Sequence, residues 1–237
     1  MRIDILTLFP ETVDAFLQES MIGRGRRDGL LDIRCHNIRD YCTDRYRRTD
    51  DYPYGGGQGM IMLCEPLARC LEDIKEGEDV HTLLMSPRGK TFNQQKAVEL
   101  LNRERFAIVC GHYEGIDQRF IDECIDEEIS LGDFVLTGGE IAAITIADAV
   151  GRMVPGVLAE SASFEDESHF SGLLEYPQYT RPEVWRDIRV PDVLLSGHHE
   201  NIRKWRRKKS LEITREKRPD MFQKLELTKE DKKLLED

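Results

Sequence analysis

Hydrophobic residues alternate with polar ones in several short stretches, and in the segments between these stretches they recur at the spacing of a helix. Ile3, Ile5 and Leu8 alternate within residues 1–9 and predict a strand, after which Pro10 suits the first turn of a helix. Further strands are predicted at 31–35, 82–85, 106–110 and near 129, and further helices at 63–74, 93–101, 116–125 and 141–147. This regular succession predicts an α/β fold, a parallel sheet with helices on both faces.

The pattern changes after Pro155 and Gly156. Residues 160–171 are acidic and serine-rich with little apolar periodicity, which is typical of a mobile linker. Beyond Pro182 the chain reads as helical and basic, and Thr228 with Asp231 can cap the last helix. We therefore predict an α/β domain at 1–159, a flexible linker at 160–175 and a small helical domain at 176–237.

Composition excludes several classes of protein. The 237 residues are 33% charged and 40% hydrophobic, as in ordinary globular chains. No apolar run reaches about 18 residues, and residues 1–10 lack the pattern of a signal peptide, so we expect a cytoplasmic protein without membrane contact. No two of the six cysteines have the spacing of a zinc knuckle or a redox pair, and we expect reduced thiols.

Charge is distributed unevenly. The chain has 34 Lys and Arg against 45 Asp and Glu, a net charge of −11, which excludes a uniformly basic nucleic-acid-binding surface. Residues 196–218 nevertheless carry nine Lys or Arg against three acids, and residues 23–48 carry eight Arg against four Asp. Clusters of this kind indicate a dedicated anion-binding face, and Trp205 beside the cations at 206–209 suits contact with phosphate and stacking.

Three glycine-bearing segments, 86–89, 111–115 and 132–139, follow predicted strands. Ligands of parallel α/β sheets bind at the carboxyl ends of the strands, and glycine lets the backbone approach them closely. The segments fit neither common phosphate motif. Met62 stands where a dinucleotide fingerprint needs its third glycine, and Leu84 stands where a triphosphate loop needs its first. A pocket for another kind of ligand is therefore predicted.

Motifs spread in order over nearly the whole chain carry a family resemblance. They are Leu8-Phe9-Pro10-Glu11, Tyr54-Gly55-Gly56-Gly57, Gly111-His112-Tyr113-Glu114-Gly115-Ile116-Asp117, Ile129-Ser130-Leu131-Gly132-Asp133, Thr137-Gly138-Gly139-Glu140, Pro155-Gly156-Val157-Leu158, Tyr179-Thr180-Arg181-Pro182, and Ser196-Gly197-His198-His199 with Trp205-Arg206. The series resembles the bacterial tRNA (guanine-N1)-methyltransferases, which are S-adenosylmethionine-dependent enzymes of the SPOUT class.

The resemblance implies a trefoil knot at the C-terminal end of the α/β domain, although knots are otherwise almost absent from proteins. It implies an obligate homodimer whose active sites are shared between the subunits. It also implies methylation of the guanosine directly 3′ of the anticodon of transfer RNA. The residues that would bind S-adenosylmethionine are Met85, Ser86, Pro87, Gly111, Tyr113, Glu114, Gly115, Ser130, Leu131, Gly132, Leu136, Gly138 and Gly139.

The same resemblance suggests catalytic roles. The family base is a linker aspartate, and gap-free alignment between 155–158 and 172–174 puts Glu167 at its position, with Asp166 as the second candidate. Arg152 matches the arginine that polarises O6 of guanine, and a magnesium ion near Glu114 could offset the same charge. The residues that would contact tRNA are Glu175, Gln178, His198, Arg203, Lys204, Arg206 and Arg207.

Two alternatives remain open at this point. The glutamate at the base position favours a catalytically silent RNA-binding dimer with the same fold, whereas the nearly complete set of donor loops favours an enzyme. A related enzyme could methylate another tRNA site, such as a ribose oxygen. A linker carboxylate suits the acidic ring nitrogen of guanine better than a ribose hydroxyl, because the pKa of the hydroxyl is far higher.

Overall fold

A five-stranded parallel sheet forms the centre of the first of two units into which the chain divides, residues 1–161 and 162–237. The computed structural model describes residues 1–158 and 167–236. The strands of the first unit are β1 (Arg2–Thr7), β2 (Asp32–Asn37), β3 (Asp50–Asp51), β4 (Ile61–Met62), β5 (His81–Thr91), β6 (Arg105–Cys110) and β7 (Glu127–Ser130). Its helices are α1 (Pro10–Leu17), α2 (Ser20–Arg27), α3 (Cys64–Lys75), α4 (Gln94–Leu101), α5 (Gln118–Cys124) and α6 (Glu140–Gly151).

The sheet order is β2-β1-β6-β5-β7, and every neighbouring pair is parallel, which confirms the predicted fold class. Leu6 of β1 and Val109 of β6 belong to one buried cluster with Leu67 of α3 and Phe120 of α5. Successive side chains of a strand point to opposite faces, so Ile5 points to the other face, where α6 contacts β1 and β6. Burial on both faces explains why the central strand β6 is continuously apolar from Phe106 to Cys110.

The prediction that the strand at 82–85 ends before the glycine-bearing segment 86–89 is wrong. Strand β5 continues through Pro87 and Gly89, and its pairing with β7 shifts there, so that Met85 and Lys90 both face Ile129. A side chain at Gly89 would overlap the carbonyl group of Glu128 in β7. Pro87 and Gly89 therefore mark a bulge within the strand and not its end. A bulge is a position at which a strand tolerates proline and glycine.

Helix α2 was not predicted from the sequence. Its sequence Ser-Met-Ile-Gly-Arg-Gly-Arg-Arg contains two glycines, which weaken intrinsic helix formation. Tertiary packing compensates for this weak helix propensity. A Cβ at Gly25 would lie 3.0 Å from both Leu31 and Val157. Close contact with these two side chains requires a glycine on this face of the helix.

The second unit contains the short hairpin strands β8 (Val184–Trp185) and β9 (Ile188–Arg189) and the helices α7 (Asp192–Leu195), α8 (His199–Lys217), α9 (Pro219–Phe222) and α10 (Lys229–Glu236). The predicted cap of the last helix is confirmed. The Asp231 amide donates to Thr228 Oγ1 at 3.1 Å, and the Thr228 amide donates to Asp231 Oδ2 at 3.0 Å. All six cysteines are free thiols. No helix in the described part of the chain is both long and apolar enough to span a membrane.

Candidate functional site

A cavity of about 430 Å³ opens between the bulge of β5 and the loops that follow β6 and β7. This volume is within the usual range of small-molecule sites. Every predicted donor-binding residue except Gly132 lines it, namely Met85, Ser86, Pro87, Gly111, Tyr113, Glu114, Gly115, Ser130, Leu131, Leu136, Gly138 and Gly139. Gly132 instead supports the lining residue Ser130. The Gly132 amide donates to Ser130 Oγ at 3.1 Å, and the Gly132 carbonyl accepts from that hydroxyl at 3.0 Å.

The first turn of α6 packs directly against the end of β6. The Gly139 amide donates to the Gly111 carbonyl at 2.8 Å. A Cβ at Gly139 would lie 2.8 Å from Cys110 Cα and 3.1 Å from the Gly111 amide nitrogen. Only glycine allows the two backbones to approach this closely, and both of them form walls of the cavity.

Glu140, the first residue of α6, connects the cavity to the end of β1. Its Oε1 accepts from Thr7 Oγ1 at 2.8 Å, and Thr7 Oγ1 accepts from the Phe9 amide at 3.0 Å. A carboxylate at this position interacts favourably with the helix dipole. Burial, followed by the charge of Glu140, raises the pKa of the Cys110 thiol well above its usual value, so Cys110 is an inert packing residue.

His112 lies beside the same helix start. Its ring packs edge-on to those of Phe9 and Tyr113, with centroid distances of 5.1 and 4.9 Å. Its Nδ1 is buried without a hydrogen-bond partner among the described residues. A Cβ at Gly138 would lie 2.7 Å from this nitrogen and would overlap the Glu140 carboxylate. A side chain at 138 would therefore have to displace the Glu140 carboxylate and the His112 ring.

The glycine-rich segment before β4 supports Glu114. The Glu114 amide donates to the Met60 carbonyl at 3.1 Å, and the Met62 amide donates to the Gly115 carbonyl at 2.9 Å. A Cβ at Gly59 would lie 2.7 Å from Glu114 Oε1, and Gly59 has a left-handed φ of +77°. Tyr113 also has a left-handed φ, +58°, a strained conformation of the kind that concentrates at functional sites.

The chemistry of the lining suggests the type of ligand. Backbone groups of tight turns and apolar walls suit an uncharged heteroaromatic ring, while the Glu114 carboxylate suits a cationic group. Phe134, Val135 and Thr137 also line the cavity and were not predicted individually from the sequence. Phe134 and Val135 are 55% and 80% exposed. An apolar run directly after Gly132 and Asp133 was the available signal for them.

The proposed catalytic residues belong to different parts of the chain. Arg152 follows α6 in the first unit, is half-buried, and is not among the residues that line the cavity. Glu167 is half-buried in the second unit, and Asp166 lies outside the described residues. Among the described residues, no three His, Cys, Asp or Glu side chains come together to hold a metal ion. Within that part of the chain, Glu114 therefore has no partners with which to hold the expected magnesium.

Most of the cations predicted to contact tRNA are paired on α8 itself or with α10. Arg207 forms two hydrogen bonds with the Asp231 carboxylate, at 2.7 and 3.0 Å, and Arg203 bonds to Glu200 and Glu230. Lys204 lies 3.5 Å from Glu200. The hydrogen bonds from Arg203 lower the pKa of Glu200 to about 2. Phosphate would have to compete with these carboxylates.

Arg206 has a different environment. Its guanidinium carbon lies 4.8 Å from the centroid of the Tyr176 ring, a cation–π arrangement, and the residue is exposed. Gln178 Nε2 donates to Glu175 Oε1, and the Glu175 amide donates to Ser168 Oγ at 2.9 Å. His198 immediately precedes α8, and its amide donates to Ser196 Oγ at 3.2 Å. Of the four α8 cations that were predicted to contact tRNA, Arg206 is thus the best placed for a phosphate contact.

Comparison with known proteins places these features in one family. The profile of the family described as tRNA (Guanine-1)-methyltransferase TrmD matches residues 1–224. The chain is 58% identical over 237 residues to the tRNA (guanine-N(1)-)-methyltransferase of Clostridium acetobutylicum, covering all of this chain and 97% of the relative. Proteins with the same name from Clostridium perfringens strain SM101 and Ruminiclostridium cellulolyticum are 57% and 53% identical. These alignments cover 99% and 95% of this chain, and 99% and 97% of the relatives.

Proposed function

The chain belongs to the tRNA (guanine-1)-methyltransferase family, and from this we infer that it methylates guanine N1 in tRNA. We propose that the methyl donor is S-adenosylmethionine and that the target is the guanosine directly 3′ of the anticodon. The observation that carries the proposal is the cavity around which the predicted donor-binding residues at 85–87, 111–115 and 130–139 converge.

The cavity fits the proposed donor in shape and in charge. Gly138 and Gly139 contribute backbone alone to the wall of the cavity, and this backbone can recognise the uncharged edge of adenine. Glu114 supplies a negative charge for the cationic part of the ligand. When bound, S-adenosylmethionine supplies an electrophilic methyl group on a sulfonium centre. The residues of the cavity bind and orient the donor and keep water from it.

Guanine N1 carries a proton and is a poor nucleophile until that proton is removed. In the proposed mechanism the Glu167 carboxylate accepts the N1 proton, with Asp166 as the alternative base. Negative charge then develops on O6 of guanine, and the Arg152 guanidinium donates hydrogen bonds to it. Because the pKa of N1 is far above that of a carboxylic acid, stabilisation of O6 is what makes a carboxylate base effective.

The finer features of the family complete the proposal. We propose a trefoil knot in the first unit, a homodimer with active sites shared between subunits, and a cytoplasmic location where tRNA is available. Exposed apolar side chains support the dimer, since Phe16 of α1 and Ile141 of α6 are 61% and 60% exposed. These two helices contact each other, and their outer side chains offer a second copy an apolar surface.

An assay on defined transcripts tests the function. Purified full-length protein is incubated with S-adenosylmethionine and unmodified tRNA transcripts that carry guanosine or adenosine directly 3′ of the anticodon. Nucleoside mass spectrometry should find N1-methylguanosine in the first transcript only. Binding of the guanosine transcript without product formation would instead identify the chain as a catalytically silent RNA-binding protein.

A further inference from the structure

Three tyrosines between residues 46 and 54 of the first unit have highly exposed side chains. Tyr46, Tyr52 and Tyr54 are 77%, 78% and 100% exposed. Arg39 and Arg45 precede these tyrosines in the chain, and we call these five residues the arginine–tyrosine surface. Neither the cavity nor the proposed mechanism uses its tyrosines. Large aromatic side chains in such positions commonly mark an interaction surface.

Hydrogen bonds to nearby carboxylates hold the backbone at Tyr46 and Tyr52. The Asp44 carboxylate accepts from the amides of Tyr46 at 3.1 Å and Arg48 at 2.9 Å, which closes a tight turn. Tyr52 follows β3, which pairs with β4 in an antiparallel ribbon, and its amide donates to Asp51 Oδ1 at 2.8 Å. Two of the three tyrosines therefore project from backbone that hydrogen bonds hold in place.

The arginine–tyrosine surface adjoins the mouth of the cavity. Arg39 Nη2 lies 3.5 Å from the hydroxyl oxygen of Tyr113, which lines the cavity. Ile61, in the strand that pairs with Asp51, is another lining residue. A substrate whose reacting base enters the cavity would therefore pass its neighbouring groups over this surface.

The charge of this stretch is opposite to that of the whole chain. Residues 39–48 contain four Arg and two Asp, whereas the chain has a net charge of −11. Two of the arginines form exposed ion pairs, Arg47 with Asp40 at 3.1 Å and Arg48 with Asp44 at 3.2 Å. Exposed pairs of this kind contribute little stability, so a phosphate could replace the carboxylates at low cost.

We propose that the arginine–tyrosine surface binds the single-stranded nucleotides that flank the target guanosine, and this rests on the proposed function. Unpaired bases have free π-faces that stack on tyrosine rings, and the phosphates between them pair with arginine. Exposed aromatic rings, an excess of arginine and a position at the cavity mouth together favour single-stranded RNA. A second copy of the chain would also cover exposed tyrosines, but it would not require the local excess of positive charge.

The test uses the full chain and single variants Tyr46→Ala, Tyr52→Ala and Tyr54→Ala, each matched by a Tyr→Phe variant that keeps the ring. Fluorescence anisotropy measures the Kd of an unmodified tRNA transcript and of its isolated anticodon stem-loop. Calorimetry measures the Kd of S-adenosylmethionine, and sedimentation velocity measures the oligomeric state. For each tyrosine that stacks on a base, alanine should raise both RNA Kd values roughly 5- to 100-fold, while phenylalanine should change them less than about twofold. Donor affinity and sedimentation should remain unchanged.

The outcomes separate this proposal from the proposed function. RNA affinities that remain at the wild-type level in all three alanine variants would overturn it. A shift of those variants to a smaller sedimenting species would also overturn it and would assign the surface to a second copy. If the wild-type protein forms no N1-methylguanosine but the alanine variants lose RNA affinity, the proposed function fails and the RNA surface stands. If product forms and RNA binding is unaffected by the variants, only the RNA surface fails.

Discussion

Gly139→Ala is the substitution for which the structure predicts the clearest effect. The new methyl carbon would lie 2.8 Å from Cys110 Cα and 3.1 Å from the Gly111 amide nitrogen, well inside normal carbon contact distances of about 3.5–4.0 Å. These atoms belong to the backbone of a central strand and cannot rotate away. Overpacking of this kind costs about 1–3 kcal/mol, which in a chain of this size lowers Tm by roughly 2–12 °C.

The matched control is Gly111→Ala. Its methyl carbon would lie 3.6 Å from Ile116 Cδ1, an ordinary contact, although Gly111 lines the same cavity and bonds to Gly139. Thermal unfolding without ligand should therefore show a loss for Gly139→Ala and a Tm close to wild type for Gly111→Ala. Calorimetry should also show at least about tenfold weaker donor binding by Gly139→Ala, because the cavity walls must separate. Equal Tm values for the two variants would refute the packing argument.

Three further predictions concern catalysis, RNA binding and acid stability. Glu167→Gln should lower kcat by about 10²- to 10⁴-fold with little change in donor Kd, and Asp166→Asn should lower kcat by a smaller factor. A larger loss of kcat in Asp166→Asn in steady-state assays would make Asp166 the base. Arg206→Ala should reduce the slope of log Kd for tRNA against log salt concentration by about 0.7–0.9, whereas Arg207→Ala should chiefly lower Tm, because Arg207 is bonded to Asp231. The bond from Arg207 lowers the pKa of Asp231 from 3.8 to about 2, so this carboxylate stabilises the fold fully above about pH 4, and its contribution disappears as the pH falls through about 2. Asp231→Asn should flatten that part of the curve of unfolding free energy against pH, and an unchanged curve would contradict the assignment.

The sequence was sufficient for the features that depend on local pattern. Short apolar stretches that alternate with segments of helical spacing predict a parallel sheet with helices on both faces, and β1, β2, β5, β6 and β7 form that sheet. The cap formed by Thr228 and Asp231 was also readable, because its partners are three residues apart. Glycines at strand ends pointed to a pocket, and the family motifs indicated which residues would line it.

Only the tertiary structure revealed the relations between distant residues. Proline and glycine at 87 and 89 have the same local signature in a turn and in a bulge, and pairing with β7 decides in favour of the bulge. Glu140 contacts Thr7 across 133 positions of the chain, and Arg207 contacts Asp231 across 24. Periodicity reports which face of an element is buried, but it contains no information about which remote polar group completes a hydrogen bond. Those partners are selected by the packing of α6 on the sheet and of α10 on α8, where an unpaired buried polar group would cost free energy.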